Sequence, residues 1–315
     1  MDKLLELLGQ FPREDWRWTL DGGTAGWSRG NAMALANCAL LAYSDPADVE
    51  RHLSKREFTR VIPCASTTPS ADTQGYVAER ADAVVLAFRG TEPTKWKDLA
   101  TDFDAGQVPF AKAFGPAGWG AVHEGWATGF EAVRGQVEAA LARCADRPMW
   151  IAGHSLGGAL AVIAAAFLVT RPAPRIAGVY TFGQPRVGDP EFCARYDAVL
   201  GAATFRCVND RDPVPHLPPR GLGVLAAAVV GGGRAPERFE HAGQLRWLLP
   251  DGGLSEDRDA WQAGESDALA HAHTLGGLLL AVGVLAAEMT GPLKDHWPIS
   301  PLTHHGYVER IEALR

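Results

Sequence analysis

Basic residues are too few in this 315-residue chain to favour a polyanionic partner. Thirty Lys and Arg stand against 37 Asp and Glu, a formal net charge of −7, so binding to nucleic acid is not expected. Cysteine is scarce as well. The five, Cys38, Cys64, Cys144, Cys193 and Cys207, cannot all pair, and none stands in a CxxC; reduced thiols in a cytoplasmic setting are the simpler reading. The opening Met1-Asp2-Lys3-Leu4-Leu5-Glu6 has acids near its start and no apolar core of signal-peptide length, so no secretion signal is expected. Internal repeats and long linkers are missing too. From Leu269 to Ala287 there is no Asp, Glu, Lys or Arg, which raises the question of a membrane span. His271, His273 and the glycines at 276, 277 and 283 interrupt that stretch and favour a buried or interfacial helix.

What is present is an ordinary globular composition, 47% hydrophobic and 21% charged, enough for one large α/β domain or two small ones. Within it lies Gly153-His154-Ser155-Leu156-Gly157. The apolar Pro148-Met149-Trp150-Ile151-Ala152 before it reads as a buried strand, and the apolar run from Gly158 to Phe167 after it reads as a helix. A G-x-S-x-G between strand and helix is the setting of a nucleophile elbow. Bulky side chains at 153 and 157 would collide with the neighbouring strand and helix, whereas glycine lets the turn close and push the Ser155 hydroxyl to its tip.

The rest of the chain alternates in the same manner. An alanine- and leucine-rich helix is expected from about 30 to 53, broken at Ser44-Asp45-Pro46. Strands are expected at 60–64, 74–78, 83–88, 176–182 and 204–208, a helix over roughly 122–145, and a last helix from near Pro301 with Tyr307, Ile311 and Leu314 on one face. This order predicts a mainly parallel central sheet flanked by helices, within a single domain spanning 1–315. Residues 221–295, with apolar runs around an acidic section from Asp251 to Asp267, read as an apolar cap-like insertion on the catalytic face.

A serine hydroxyl needs an imidazole to take its proton and a carboxylate to orient that imidazole. Asp212 follows the strand 204–208 directly, and Pro213 stiffens its turn. Asp212 is therefore the favoured acid, with Asp210 the alternative. His216, His241, His271, His273, His296, His304 and His305 all follow it, and spacing alone does not choose among them. The N–H of Leu156, at the helix N-terminus, is one expected oxyanion donor. His123 and His154 read as structural histidines near the site. The spacing of His271 and His273 does not suit a metal, and the acids between 251 and 267 lack calcium-loop spacing, so they read as a solvated face.

Several motifs together resemble the class 3 lipases, the group that includes the fungal triacylglycerol lipases. These are Phe88-Arg89-Gly90-Thr91, Trp96-Lys97-Asp98-Leu99, Val122-His123-Glu124-Gly125-Trp126, the GHSLGG at 153–158, Thr181-Phe182-Gly183-Gln184-Pro185-Arg186-Val187-Gly188-Asp189, the acid loop 208–215, and Leu302-Thr303-His304-His305-Gly306-Tyr307. The resemblance implies an α/β-hydrolase fold and a Ser155–Asp212–His304 triad. It also implies Thr91 as the second oxyanion donor and a lid over Glu92–Leu99, with Trp96 at the lipid interface. A membrane span at 269–287 would separate Asp212 from His304, a further reason to read it as non-spanning. The implied chemistry is acyl transfer with no metal or organic cofactor, on a lipid or ester substrate, with peripheral contact to a lipid surface. A phospholipase A1 and a short-chain or aromatic esterase are the neighbouring alternatives. A silent hydrolase fold serving as a binding module is the alternative of a different class.

Overall fold

The computed structural model describes residues 17–24, 26–68, 71–90, 106–144, 147–171, 175–218, 238–264 and 306–314. An eight-stranded sheet runs through them. It starts with the hairpin β1 (Phe58–Thr68) and β2 (Ala71–Arg80), continues through β3 (Val84–Phe88), β6 (Met149–His154), β7 (Ile176–Phe182), β8 (Thr204–Asn209) and β9 (Gln244–Leu248), and ends on β10 (Leu254–Ser255), in the order β1-β2-β3-β6-β7-β8-β9-β10. Strands β3, β6, β7, β8 and β9 pair in parallel, while the hairpin and β10 are antiparallel. Strands β4 (Gln107–Pro109) and β5 (Ala121–His123), with the short helix α3 (Phe110–Phe114) between them in the chain, form a separate ribbon.

Side chains of the central strands divide by parity between two hydrophobic cores, as the two-residue period of a strand requires. Val84, Leu86, Phe88, Met149, Ile151 and Val179 join one core with helices α4 (Glu124–Leu141), α5 (Leu156–Leu168) and α6 (Pro190–Leu200). Val85, Ala87, Trp150, Ala152, Tyr180, Phe182, Phe205 and Cys207 join the other with α1 (Arg29–Leu41) and α8 (Tyr307–Glu312). Helix α5 buries nearly every residue it has. Its alanines and glycines let it lie close to the sheet, while α4 presents a conventional apolar stripe of Trp126, Phe130, Val133 and Val137.

The helical region 30–53 is two helices, α1 and α2 (Pro46–Ser54), divided at the expected break, where Asp45 is extended and Pro46 opens the second. Other expectations change. The helix expected from 122 begins at Glu124, since residues 121–123 are the ribbon strand β5. The described part of 221–295 is not a cap: Gln244–Leu248 lies in the main sheet beside β8, and α7 (Arg258–Ala263) buries Trp261 against Val208 and Leu245. The apolar runs at 222–230 and 275–287 lie outside the described residues, as does the uncharged stretch 269–287. No helix among the described residues is long and apolar enough to cross a membrane. The final helix starts at Tyr307, because Gly306 is extended; Tyr307, Ile311 and Leu314 are buried together, as the pattern predicted.

Candidate active site

Strand β6 ends at His154 and α5 begins at Leu156, which leaves Ser155 as the single residue of the turn. Its backbone sits at φ 56° and ψ −129°, a conformation L-residues rarely hold. Strain of this kind costs roughly 1–3 kcal/mol and survives only where the surroundings enforce it. The enforcement is visible. The Ser155 N–H donates to Phe182 O at 2.8 Å, and its own carbonyl accepts from Gly158 N at 2.9 Å. A Cβ on Gly153 would lie 2.7 Å from Gly158 N and overlap the Gly157 backbone. One on Gly157 would lie 2.8 Å from the Arg89 carbonyl carbon and overlap Phe88 O. Both glycines are required by the closeness of helix, elbow and strand. Ser155 is buried, and among the described residues no group hydrogen-bonds its Oγ. The adjacent Leu156 N–H opens α5, so it has no intrahelical acceptor and forms part of the positive end of the helix dipole.

The carboxylate of Asp212 is held at the C-terminal end of β8, one strand away from β6 across β7. It is fully buried, and its Oδ1 accepts from Val214 N at 2.9 Å. Its Oδ2 accepts from the Tyr307 hydroxyl at 2.6 Å, and the same hydroxyl accepts from Asn209 N at 3.0 Å. Burial, and then the negative charge of Asp212, push the Tyr307 phenol well above its ordinary range, so it stays a neutral donor. The Tyr307 ring also packs edge-on to His154 at 5.9 Å and to Phe182 at 6.1 Å, which joins the acid loop to the elbow. Asp210, the alternative acid, is tied by its backbone to β9: its N–H donates to Leu248 O and its carbonyl accepts from Trp247 Nε1.

Of the other residues assigned from sequence, His304, Thr91 and Trp96 lie outside the described residues, as do His271, His273, His296 and His305. His216 stacks on Trp261 at 4.5 Å and His241 bonds Pro215 O through Nε2 at 2.7 Å. Burial, followed by Arg206 and Arg186, drives His241 well below the usual imidazole range. His123 caps α4 by accepting from Gly125 N at 3.2 Å and stacks on Trp126 at 4.1 Å. His154 pairs through Nδ1 with the Tyr43 hydroxyl at 2.8 Å. His154 is thus bonded beside the elbow, and His123 at the end of the ribbon where α4 begins.

Tyr43 was not singled out by its sequence. It stands at the end of an apolar helix, where a polar-tipped aromatic was the one signal available. The basic loop end after β3 is fixed too: Arg89 N donates to Gln74 O at 2.8 Å, and its guanidinium reaches Asp72 at 3.2 Å. Among the described residues no cluster of His, Cys, Asp and Glu is placed to hold a metal ion. All five cysteines are free thiols.

A strand–serine–helix elbow on a largely parallel sheet, with a buried carboxylate beyond a later strand, defines the α/β-hydrolase fold. The sequence model of the class 3 lipases matches residues 85–222, and this segment belongs to that family. The chain is similar to a lipase of Rhizomucor miehei, 35% identical over 209 residues, covering 62% of this chain and 50% of the relative. It is also similar to a lipase of Rhizopus niveus, 33% identical over 172 residues, covering 52% and 42%. The matched region therefore spans about half the length of these curated relatives. Among solved structures, a triacylglycerol lipase whose catalytic centre is a serine protease triad superimposes with a TM-score of 0.53 at 26% identity, covering 72% of this chain and 83% of its own.

Proposed function

We propose that this protein is a serine carboxylic ester hydrolase acting on lipid esters, in the manner of a triacylglycerol lipase. The observation that carries the reading is Ser155, held at positive φ between β6 and α5 while Asp212 is buried and hydrogen-bonded at the end of β8. In this reading His304 takes the Ser155 proton as Oγ attacks the ester carbonyl, and Asp212 fixes the imidazole tautomer and stabilises the imidazolium. The tetrahedral oxyanion is received by the N–H groups of Leu156 and Thr91. One such donor is worth about 3–4 kcal/mol of barrier. The C–O bond to the alcohol then breaks, with His304 returning the proton to the leaving oxygen. Water, deprotonated by the same imidazole, hydrolyses the acyl-enzyme. Trp96, in the segment resembling the family lid, makes the peripheral contact with lipid.

Fluorophosphonate labelling tests the nucleophile. The parent chain should be labelled on Ser155, whereas Ser155→Ala should be inert yet folded by circular dichroism. Asp212→Ala and His304→Ala should lose most activity while remaining folded. A dead His296→Ala beside an active His304→Ala would reassign the base. Rates on p-nitrophenyl esters of increasing chain length, below and above the solubility limit, test the substrate class. A rise on emulsions of long-chain esters supports the lipase reading, and a preference for short soluble esters overturns it in favour of an esterase.

A further inference from the structure

Two residues separate the end of β3 from Thr91, and the second of them is gripped from an unexpected direction. Gly90 N donates to the hydroxyl of Tyr43 at 3.1 Å. That oxygen is also within 2.8 Å of His154 Nδ1, the side chain immediately before Ser155. The Gly90 backbone lies so close to the elbow that a Cβ there would stand 2.6 Å from His154 O and 2.9 Å from the Ser155 Cβ, and would overlap the phenol oxygen itself. One oxygen atom, delivered by the turn that follows α1, thus touches both the loop before Thr91 and the strand end before Ser155. These two segments carry the two N–H groups to which the oxyanion is assigned above.

We infer that Tyr43 is a positioning residue that ties the loop leading to one oxyanion donor to the elbow that carries the other, a role that rests on the ester-hydrolase reading of Ser155. Thr91 follows Gly90 directly in the chain, so the bond to Gly90 N tethers the loop one residue before that donor. The phenol is suited to the task. Its oxygen accepts from one side and bonds the imidazole on the other, and Tyr43 N, bonded to Leu40 O at 3.0 Å, holds the ring at the end of a buried helix. Oxyanion stabilisation depends on donors placed before the charge develops. Slackness in the tether therefore costs the transition state and leaves substrate binding alone.

The test is Tyr43→Phe in the full chain, which keeps the ring and removes both bonds. The expected result is a ten- to hundred-fold fall in kcat with KM within about two-fold. Inhibition by an alkyl boronic acid, which forms a tetrahedral adduct on the serine, weakens by the same factor, while inhibition by a fatty acid product is unchanged. The Gly90 amide exchanges faster with solvent. Parent values of kcat, boronate affinity and Gly90 exchange in Tyr43→Phe overturn the inference. A variant with no cooperative unfolding transition, or with kcat and KM changed together, assigns Tyr43 to folding and also overturns it. If the parent chain cleaves no ester and takes no fluorophosphonate, the hydrolase reading fails instead, and the amide exchange still decides whether the tether exists.

Discussion

The Tyr307 hydroxyl donates to Asp212 Oδ2 at 2.6 Å while it accepts the Asn209 N–H at 3.0 Å. The acid loop is thereby anchored to a helix 95 residues further along the chain. A hydrogen bond to a buried charged group contributes about 1.5–3 kcal/mol. Tyr307→Phe removes it and strands the Asn209 amide, so urea unfolding should show a loss of about 2 kcal/mol. On the proposed triad, ester hydrolysis should fall with it, because Oδ2 would lose a donor that orients the carboxylate. An unchanged urea midpoint would mean that the bond contributes nothing.

The backbone of Ser155 makes an unusual stability prediction. Exchanging an ordinary residue for glycine costs about 0.5–1 kcal/mol through the unfolded chain. At φ 56° the balance reverses, since glycine holds that conformation without strain. Ser155→Gly should therefore unfold at a temperature equal to or above that of Ser155→Ala, although both are inactive. A glycine variant clearly less stable than the alanine variant would show that the turn is unstrained.

Alkaline pH should weaken the fold earlier than its acidic net charge suggests. Burial raises the Cys38 thiol to about 12 and the Cys64 thiol to about 11, from an ordinary 9.0. Burial likewise raises Tyr76 and Tyr307 well above 10.0. Each group is more strongly protonated in the folded state than in the unfolded one. Their stabilisation is complete below pH 9 and is lost as pH rises, from 9 for the thiols and from 10 for the phenols. Thermal unfolding followed from pH 8 to 11 should show a melting temperature that falls continuously above 9. A flat profile would contradict the burial of these groups.

Arg29 ties the two ends of the described chain together, donating to Leu314 O and Glu312 O at 2.6 Å each. Both bonds are partly open to water, so Arg29→Ala should cost only about 1 kcal/mol overall. Its effect should be local: hydrogen exchange of the amides at 307–314 should accelerate, while those of β6 and β7 hold their protection. Uniform acceleration across the sheet would mean that α8 is not a separately loosened unit.

Much of this arrangement could be read before folding. Gly153, Ser155 and Gly157 announce the elbow because steric closure leaves no other residue for the outer two places, and the structure puts the colliding backbones there. The continuous apolar runs of β3, β6 and β7 mark strands buried on both faces. Strand β9 escaped notice because Gln244 and Arg246 break its apolar run; Arg246 is nonetheless buried, its guanidinium lying over the Trp27 and Phe205 rings and reaching Glu256 at 3.1 Å. The roles of Tyr43 and Tyr307 in tying loops together depend on partners 47 and 95 residues away. No local period encodes such distances. Only the motif containing Tyr307 hinted at one of them.

Helix α1 is a rod of 13 residues, about 20 Å long. Arg29 at one end grips the backbone beyond α8, and Tyr43 just past the other grips the loop after β3. Closing the first of these links joins positions 285 apart in sequence, a step expected to come late because long loops are slow to close. Competence for chemistry should therefore arrive with the final docking event rather than with the sheet, leaving partly assembled molecules inert.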